Sequence, residues 1–282
     1  MSMIKNKPQI PQGSEEWLEK RRSMITASNV ASLLSRSEKA CGAYNKSYPS
    51  CCQKIDRSLF CNPYQDKNSV IINKLLPETE KININMEWGQ LYEPIARDLY
   101  QKMTGNKITP IGLITHSKYS WLGASPDGLL EDGKLIEIKC PRKRRIRSRK
   151  PPSLMYWIQM QIQMEVCDVE RCEFMEVSFK QKSRLRGFIR GDYFGVYLQV
   201  CETGEIIYPP YIYINDMKRC YLWTKKMRRI HGDVKLKFWV MEAINRCVVD
   251  RNREWFRGIQ PVLQSTMREI LAHKEDEEED IE

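Results

Sequence analysis

Nowhere in its 282 residues does the chain carry a run of apolar side chains near the roughly 20 that a membrane helix needs. Its first residues, MSMIKNKPQIPQGSEEW, hold no apolar core of signal-peptide length. These two absences predict a soluble, intracellular protein with no membrane role. Histidine is scarce, with three in all. Cys41, Cys51, Cys52 and Cys61 fall in a Ser/Tyr/Asn-rich stretch, without the paired C-x-x-C knuckles of a zinc ribbon. With ten cysteines in an intracellular chain, reduced thiols are expected before disulfides. Cys140, Cys167, Cys172, Cys201, Cys220 and Cys247 read as small core residues. No internal repeat is evident.

What the chain does have is positive charge on a globular composition. Charged residues make up 29% and the hydrophobic set 41%, which excludes a disordered chain. The net charge is +10, yet the last nine residues, KEDEEEDIE, hold seven acids and one lysine, so the body without them stands at +16. A body that basic favours a polyanionic partner through phosphate neutralisation and counterion release. The acidic end, 274–282, reads as a solvated, disordered tail.

Along the chain, SEEWLEKRRSMITASNVASLL reads as two helices. Ser14 caps the first, which has Trp17 and Leu18 on its apolar side, and hydroxyls at Thr26–Ser28 open the second. Residues 37–68 read as a loop-rich insertion. Helices follow over about 69–76 and from Trp88 to Met103, where Pro94 sets a start or a bend. Residues 107–140 turn to β-branched runs, with a hairpin in which Glu131-Asp132-Gly133 turns between GASPDGLL and KLIEIKC. A helix over about 152–167, a strand at ERCEFMEVSF and further strands over 188–214 come next. Asp216 to His273 reads as mostly helical, with Trp239, Trp255 and Phe256 as packing anchors. The expectation is a mixed α/β fold in one domain, 1–273, with elaborations at about 37–68 and 181–215.

The hairpin concentrates chemistry. Alternate strand residues share a face, so Glu137 and Lys139 project together while Ile136 and Ile138 point away. Asp127, across the turn, converges on the same face. Two carboxylates and a lysine suit phosphodiester hydrolysis: the carboxylates hold Mg²⁺ or Mn²⁺, the metal activates water and polarises the phosphoryl group, and the lysine stabilises the added charge. Taken alone, D-x₉-E-x-K also fits a solvated hairpin.

Further blocks join it. SPDG followed by IEIKCP resembles the central motif of the PD-(D/E)XK nucleases, and specifically of the lambda exonuclease and YqaJ-like viral recombinase group. WLEKRRSMITAS (17–28), EWGQLYEPIARDLY (87–100) and YWIQMQIQM (156–164) are similar to three more blocks of that group, in the same order. The segment WFRGIQPVLQ (255–264) is a weaker match to its last helix. The resemblance implies the restriction-endonuclease-like core, a central mixed sheet flanked by helices. It also implies a Mg²⁺- or Mn²⁺-dependent exonuclease that digests linear duplex DNA 5′→3′ from its ends, in viral recombination or repair. Carried over by residue, it makes Asp127, Glu137 and Glu93 metal ligands, adds the Ile138 carbonyl, and makes Lys139 the catalytic lysine. Gln161 matches the active-site glutamine, with Gln159 as its substitute. Arg21 and Ser28 match the binders of a terminal 5′ phosphate, Arg22 being the neighbouring alternative. A guanidinium with a hydroxyl suits a dianion.

The chain departs from the group in two ways. No acid lies about ten residues before the SPDG aspartate, where the sequence reads HSKYSWLGA, and the two elaborations leave the group's trimeric ring open. Directly after Cys140-Pro141 comes RKRRIRSRK, seven basic residues among nine. Arg142, Lys143, Arg144 and Arg145 are candidates to grip the DNA backbone beside the catalytic strand, or to serve as a nuclear localisation signal. The expected partner is duplex DNA with free ends; the resemblance also admits a single-strand annealing protein and an oligomer. The place of action is the host cytoplasm or nucleus. Two other readings stand beside this one. The first, an endonuclease or RNase of the same fold, would cut closed circles or RNA. The second, a non-catalytic DNA-binding recombination protein, has no need of clustered acids that repel phosphate.

Overall fold

The computed structural model describes residue 4 and residues 7–49, 61–76, 83–182 and 193–279. Cys51 and Cys52 lie outside the described residues. Two sheets carry the chain. A short one has the order β1 (Ile25–Thr26), β4 (Leu122–Ala124), β3 (Ile114–Thr115), with β1 and β4 parallel. The large one has seven strands, in the order β2 (Ile108–Thr109), β5 (Gly128–Leu130), β6 (Leu135–Lys139), β7 (Arg171–Lys182), β10 (Val234–Asp250), β8 (Phe194–Val200), β9 (Ile206–Ile207). Its one parallel pairing, β6 with β7, is bridged by helix α6 (Leu154–Cys167). A parallel pair requires such a crossover.

Helices cover both faces. Helix α5 (Ile84–Thr104) buries Tyr92, Ile95, Ala96 and Leu99 in a cluster with Ile136, Ile138, Met175 and Val177. On the opposite face α6 buries Trp157, Ile158 and Ile162 in a cluster with Leu135 and Phe174. That cluster also takes in α2 (Ala27–Leu33), α3 (Glu38–Ser47), α4 (Lys67–Leu75) and α8 (Arg253–Glu279). The alternation read from the hairpin is thus the alternation between two cores. Helices α1 (Glu15–Arg22) and α7 (Met217–His231) lie outside them. No described helix is long and apolar enough to cross a membrane.

Several expectations are corrected. Residues 38–47, read as loop, form α3. The Ser37 side chain caps it by accepting from the Ala40 amide, and Ala40, Cys41 and Tyr44 are buried. Pro94 does not start a helix: Asn83 caps α5 eleven residues earlier, and the helix runs through Pro94 to Thr104. Helix α1 has the expected Ser14 cap but buries no residue, and Leu18 is exposed. The largest correction is Val234–Asp250, read as helix. It is the 17-residue strand β10, paired with β7 on one side and β8 on the other, with Trp239 buried in it. At the C-terminus α8 carries the chain to Glu279, into the segment read as disordered.

Candidate active site

The hairpin β5–β6 turns as its residues dictate. Gly133 takes φ 82°, which glycine adopts without strain, and its amide donates to the Leu130 carbonyl. Gly128 is required for another reason: a Cβ there would run into the Ile108 side chain. Asp127 stands just ahead of β5, where Pro126 offers no amide to continue the ladder. The Asp127 carboxylate supplies an acceptor at this point, taking the Ile138 amide at 2.6 Å. Amide and carbonyl of one strand residue point to the same side, so the Ile138 carbonyl faces Asp127 as well.

Glu137 is 1% exposed and held by three neighbours. Its Oε1 accepts from Gln159 Nε2 at 2.7 Å and pairs with Lys139 Nζ, while Oε2 accepts from Gln163 Nε2 at 2.6 Å. An ionised carboxylate has about four lone-pair sites. Three are used, and one on Oε2 is left. Lys139 also lies 5.2 Å from the centre of the Tyr156 ring, with the Arg144 guanidinium 5.3 Å from the same ring. Arg144 is paired with Glu176, which neighbours Lys139 across the sheet.

Glu93 enters from α5, held by Arg97 Nη1 at 3.6 Å, one turn along the helix. Arg97 Nη2 in turn donates to the Asp127 carbonyl, tying the helix to the SPDG loop. Loss of water raises the pKa of Glu93, an effect that Arg97 and Lys139 oppose and Glu137 reinforces. Asp127 is pushed well above the usual carboxylate range, first by burial, then by the charges of Glu137 and Glu93. Burial pulls Lys139 down, but Glu137 and Asp127 outweigh it and hold the ammonium above its ordinary value.

Among the described residues no group of three or more His, Cys, Asp or Glu side chains is placed to hold a metal ion by itself. The chemistry of the donor set nevertheless fits a hard divalent cation. Asp127 and Glu93 are carboxylates kept short of water and repelling one another, Glu137 has one free lone pair, and the Ile138 carbonyl faces the same place. A cation there would offset the burial and the neighbouring negative charge that raise Asp127 and Glu93.

The structure brings together Glu93, Asp127, Glu137, Ile138 and Lys139. It places Gln161 elsewhere. That side chain is 1% exposed, donates to the Asp250 carbonyl at 2.8 Å and accepts from the Asn252 amide at 2.7 Å, so it clamps the passage from β10 to α8. Gln159, read as its substitute, makes the contact to Glu137, and Gln163 makes a second that sequence reasoning missed. The signal was available: residues four apart share a helix face, and a residue two away lies on the opposite side. Arg97, within the EWGQLYEPIARDLY block, joins the site as well, through Glu93 and the Asp127 carbonyl.

Arg21 and Ser28 also meet, Nη2 to Oγ at 3.5 Å, at the exposed rim. Arg21 lies over the Trp17 ring at 4.3 Å, and Trp17 Nε1 donates to Ser125 Oγ at 3.3 Å, two residues before Asp127. Strand β1 fixes the same relation through its pairing of Thr26 with Gly123. Arg22 is exposed on α1. In the basic run, Arg142 is half-buried, Lys143 and Arg145 are exposed, and Ile146 pins the segment to the body.

The sequence pattern of the YqaJ-like viral recombinase domain matches residues 16–170. The chain is 20% identical over 329 residues to the uncharacterized protein R354 of Acanthamoeba polyphaga mimivirus, covering 98% of this chain and 55% of the relative. It therefore spans about half the length of the curated relative it matches. The alkaline exonuclease LHK-Exo of Laribacter hongkongensis superposes with a TM-score of 0.53 at 24% identity, over 95% of this chain and 98% of that one. The same enzyme in complex with dAMP superposes with a TM-score of 0.54 at 25% identity, again over 95% and 98%. The mixed α/β fold is thus of the PD-(D/E)XK type, and four motif blocks fall within the matched span, from Trp17 in α1 to the Gln159 and Gln163 helix. By that match the chain belongs to the YqaJ-like viral recombinase domain family.

Proposed function

We propose that the protein is a divalent-metal-dependent DNA exonuclease that digests linear duplex 5′→3′ from its ends, with residues 1–273 as one nuclease domain. The observation that carries the reading is the convergence of Asp127, Glu137 and Glu93 with Lys139, where burial first and neighbouring negative charge second raise Asp127 and Glu93. Mg²⁺ or Mn²⁺ held by these carboxylates and the Ile138 carbonyl would polarise the scissile phosphoryl group and offset the charge on the leaving oxygen.

The chain's own residues do the rest. Lys139, kept protonated by Glu137 and Asp127, faces the negative charge that builds on the phosphorus oxygens. Gln159 and Gln163 fix the orientation of Glu137, and Arg97 fixes the backbone that carries Asp127. Arg21 and Ser28 offer a guanidinium and a hydroxyl to a terminal phosphate. Arg142, Lys143 and Arg145 extend toward the backbone beside the cut. Arg144, shared between Glu176 and Tyr156, borders the catalytic lysine.

The test is digestion of end-labelled linear duplex against covalently closed circles, with and without Mg²⁺. The expected result is Mg²⁺-dependent loss of linear DNA only, faster with a 5′ phosphate than with a 5′ hydroxyl. Arg21→Ala should cost about ten- to a hundredfold on the phosphorylated substrate and remove the preference, the worth of a charge-assisted contact. Closed circles cut as readily as linear DNA would replace this reading with an endonuclease.

A further inference from the structure

Helix α7 lies beyond the span matched by the family pattern, outside the two main cores and the carboxylate site. Between Met217 and His231 it holds six Lys and Arg and no Asp or Glu. Lys218, Arg219, Lys225, Lys226, Arg228 and Arg229 are all exposed. Arg219 pairs with Asp216 at 3.3 Å; the other five make no ion pair among the described residues. The opposite stripe is already committed. Cys220 and Thr224 are buried, and Trp223 and Met227 pack on Leu198, Val200 and Val234. The buried stripe of the helix is thus occupied, and what it presents to solvent is dominated by cations, with Tyr221, Leu222 and Ile230 exposed among them.

Its position follows from the strand register. Lys139 on β6 neighbours Glu176 on β7, which neighbours Asn245 on β10. From Asn245, β10 runs back past the end of β6 to Val234, where α7 is seated. At about 3.3 Å per residue that is on the order of 35 Å along the strand. One duplex base pair rises about 3.4 Å, so this is roughly ten base pairs. The helix itself, at 1.5 Å per residue, is about 22 Å long and can face about six successive phosphates of one strand.

We propose that α7 is a second nucleic-acid contact, gripping the phosphate backbone of the duplex about one helical turn away from the carboxylates. This rests on the nuclease reading of the site and adds where the rest of the substrate is held. Duplex is favoured over other polyanions because, on that reading, the site that α7 shares a sheet with performs phosphodiester chemistry, and the face that α7 turns to solvent is cationic.

The experiment compares the full chain with a variant carrying Lys225→Gln, Lys226→Gln, Arg228→Gln and Arg229→Gln, in EDTA so that no cleavage intervenes. Anisotropy is measured with 30-bp and 8-bp duplexes from 50 to 300 mM salt, after thermal unfolding shows that both proteins melt together. The expected result is at least a tenfold loss of affinity for the 30-bp duplex. Its log–log salt slope should fall by up to ~0.9 per lost contact, with 8-bp binding unchanged because that duplex cannot span the distance. An unchanged slope for the 30-bp duplex overturns the inference. So does a variant that keeps duplex binding but loses binding to polyglutamate or to phosphatidylserine vesicles, since the surface would then serve an acidic protein or a membrane. Wild type that digests no DNA with Mg²⁺ present overturns the nuclease reading itself, a separate measurement from the α7 slope.

Discussion

The molecule gathers acids in two places and treats them in opposite ways. Around β5 and β6, Asp127, Glu93 and Glu137 share Lys139 and Arg97 and remain in excess, and Asp127 and Glu93 are pushed up. At the far end of α6, Glu165, Asp168 and Glu170 surround Arg251, whose side chain is 5% exposed, with Arg253 alongside. Arg251 Nη2 meets Glu165 at 2.9 Å and Nη1 meets Asp168 at 2.7 Å. There Asp168 is held below its ordinary range by Arg251, and Glu165 is held down by His116 and Arg251 against the pull of burial. One cluster meets its arginines in direct ion pairs, which hold Asp168 and Glu165 down, and ties β7, β10 and α6 together. The other leaves Asp127 and Glu93 buried beside a third acid and pushed up, a state that a bound cation would relieve under the proposed reading.

Substitutions should separate the two clusters. The largest effect is expected from Asp127→Asn, which keeps an acceptor for the Ile138 amide but removes the charge. Mg²⁺-dependent cleavage should fall by about a thousandfold or more, while Tm stays or rises because repulsion is relieved. A large drop in Tm would make Asp127 a structural acid and erase the contrast. Arg251→Ala should do the reverse. Breaking a buried pair and leaving Glu165 uncompensated costs about 3 kcal/mol or more, on the order of 10 °C in Tm for a domain of this size, with cleavage retained below the transition. Thermal unfolding beside a nuclease assay reads both.

The smallest effect sharpens the comparison within a single helix. Gln159→Ala should lower kcat by about tenfold with little change in Tm, because Glu137 loses a holder. Gln161→Ala should leave kcat near wild type and cost about 1–3 kcal/mol, since it strands the Asp250 carbonyl and the Asn252 amide. The opposite pattern would restore Gln161 to the site.

The same contrast explains what could be read from residues alone. The hairpin was legible because a period of two with a tight turn fixes which side chains share a face, and Glu137 and Lys139 follow from it directly. Choosing among Gln159, Gln161 and Gln163 requires the helix's rotation about its axis, which packing of Trp157 and Ile158 sets. Strand β10 was misread because Lys, Glu, Met and Ala favour helices locally, whereas pairing on both edges decides the outcome. Helix α3 carries Gly42 and several polar residues, and it holds through burial of Ala40 and Tyr44 and through the Trp255 indole, which donates to the Ala40 carbonyl at 3.0 Å. Long-range contacts of that kind leave no local trace.

The tether from Arg21 through Trp17 to Ser125 makes the N-terminal segment a gauge. The rim pair and Asp127 are mounted on one continuous piece, because β1 is zipped to β4 and a Cβ on Gly123 would collide with the Met24 sulphur. Under the proposed reading, a terminus seated at Arg21 and Ser28 reaches the carboxylates by one length of strand only. Fragment size would then be written into the register of a two-residue strand rather than into the catalytic groups, and slipping that register would change the length of the products without touching the chemistry.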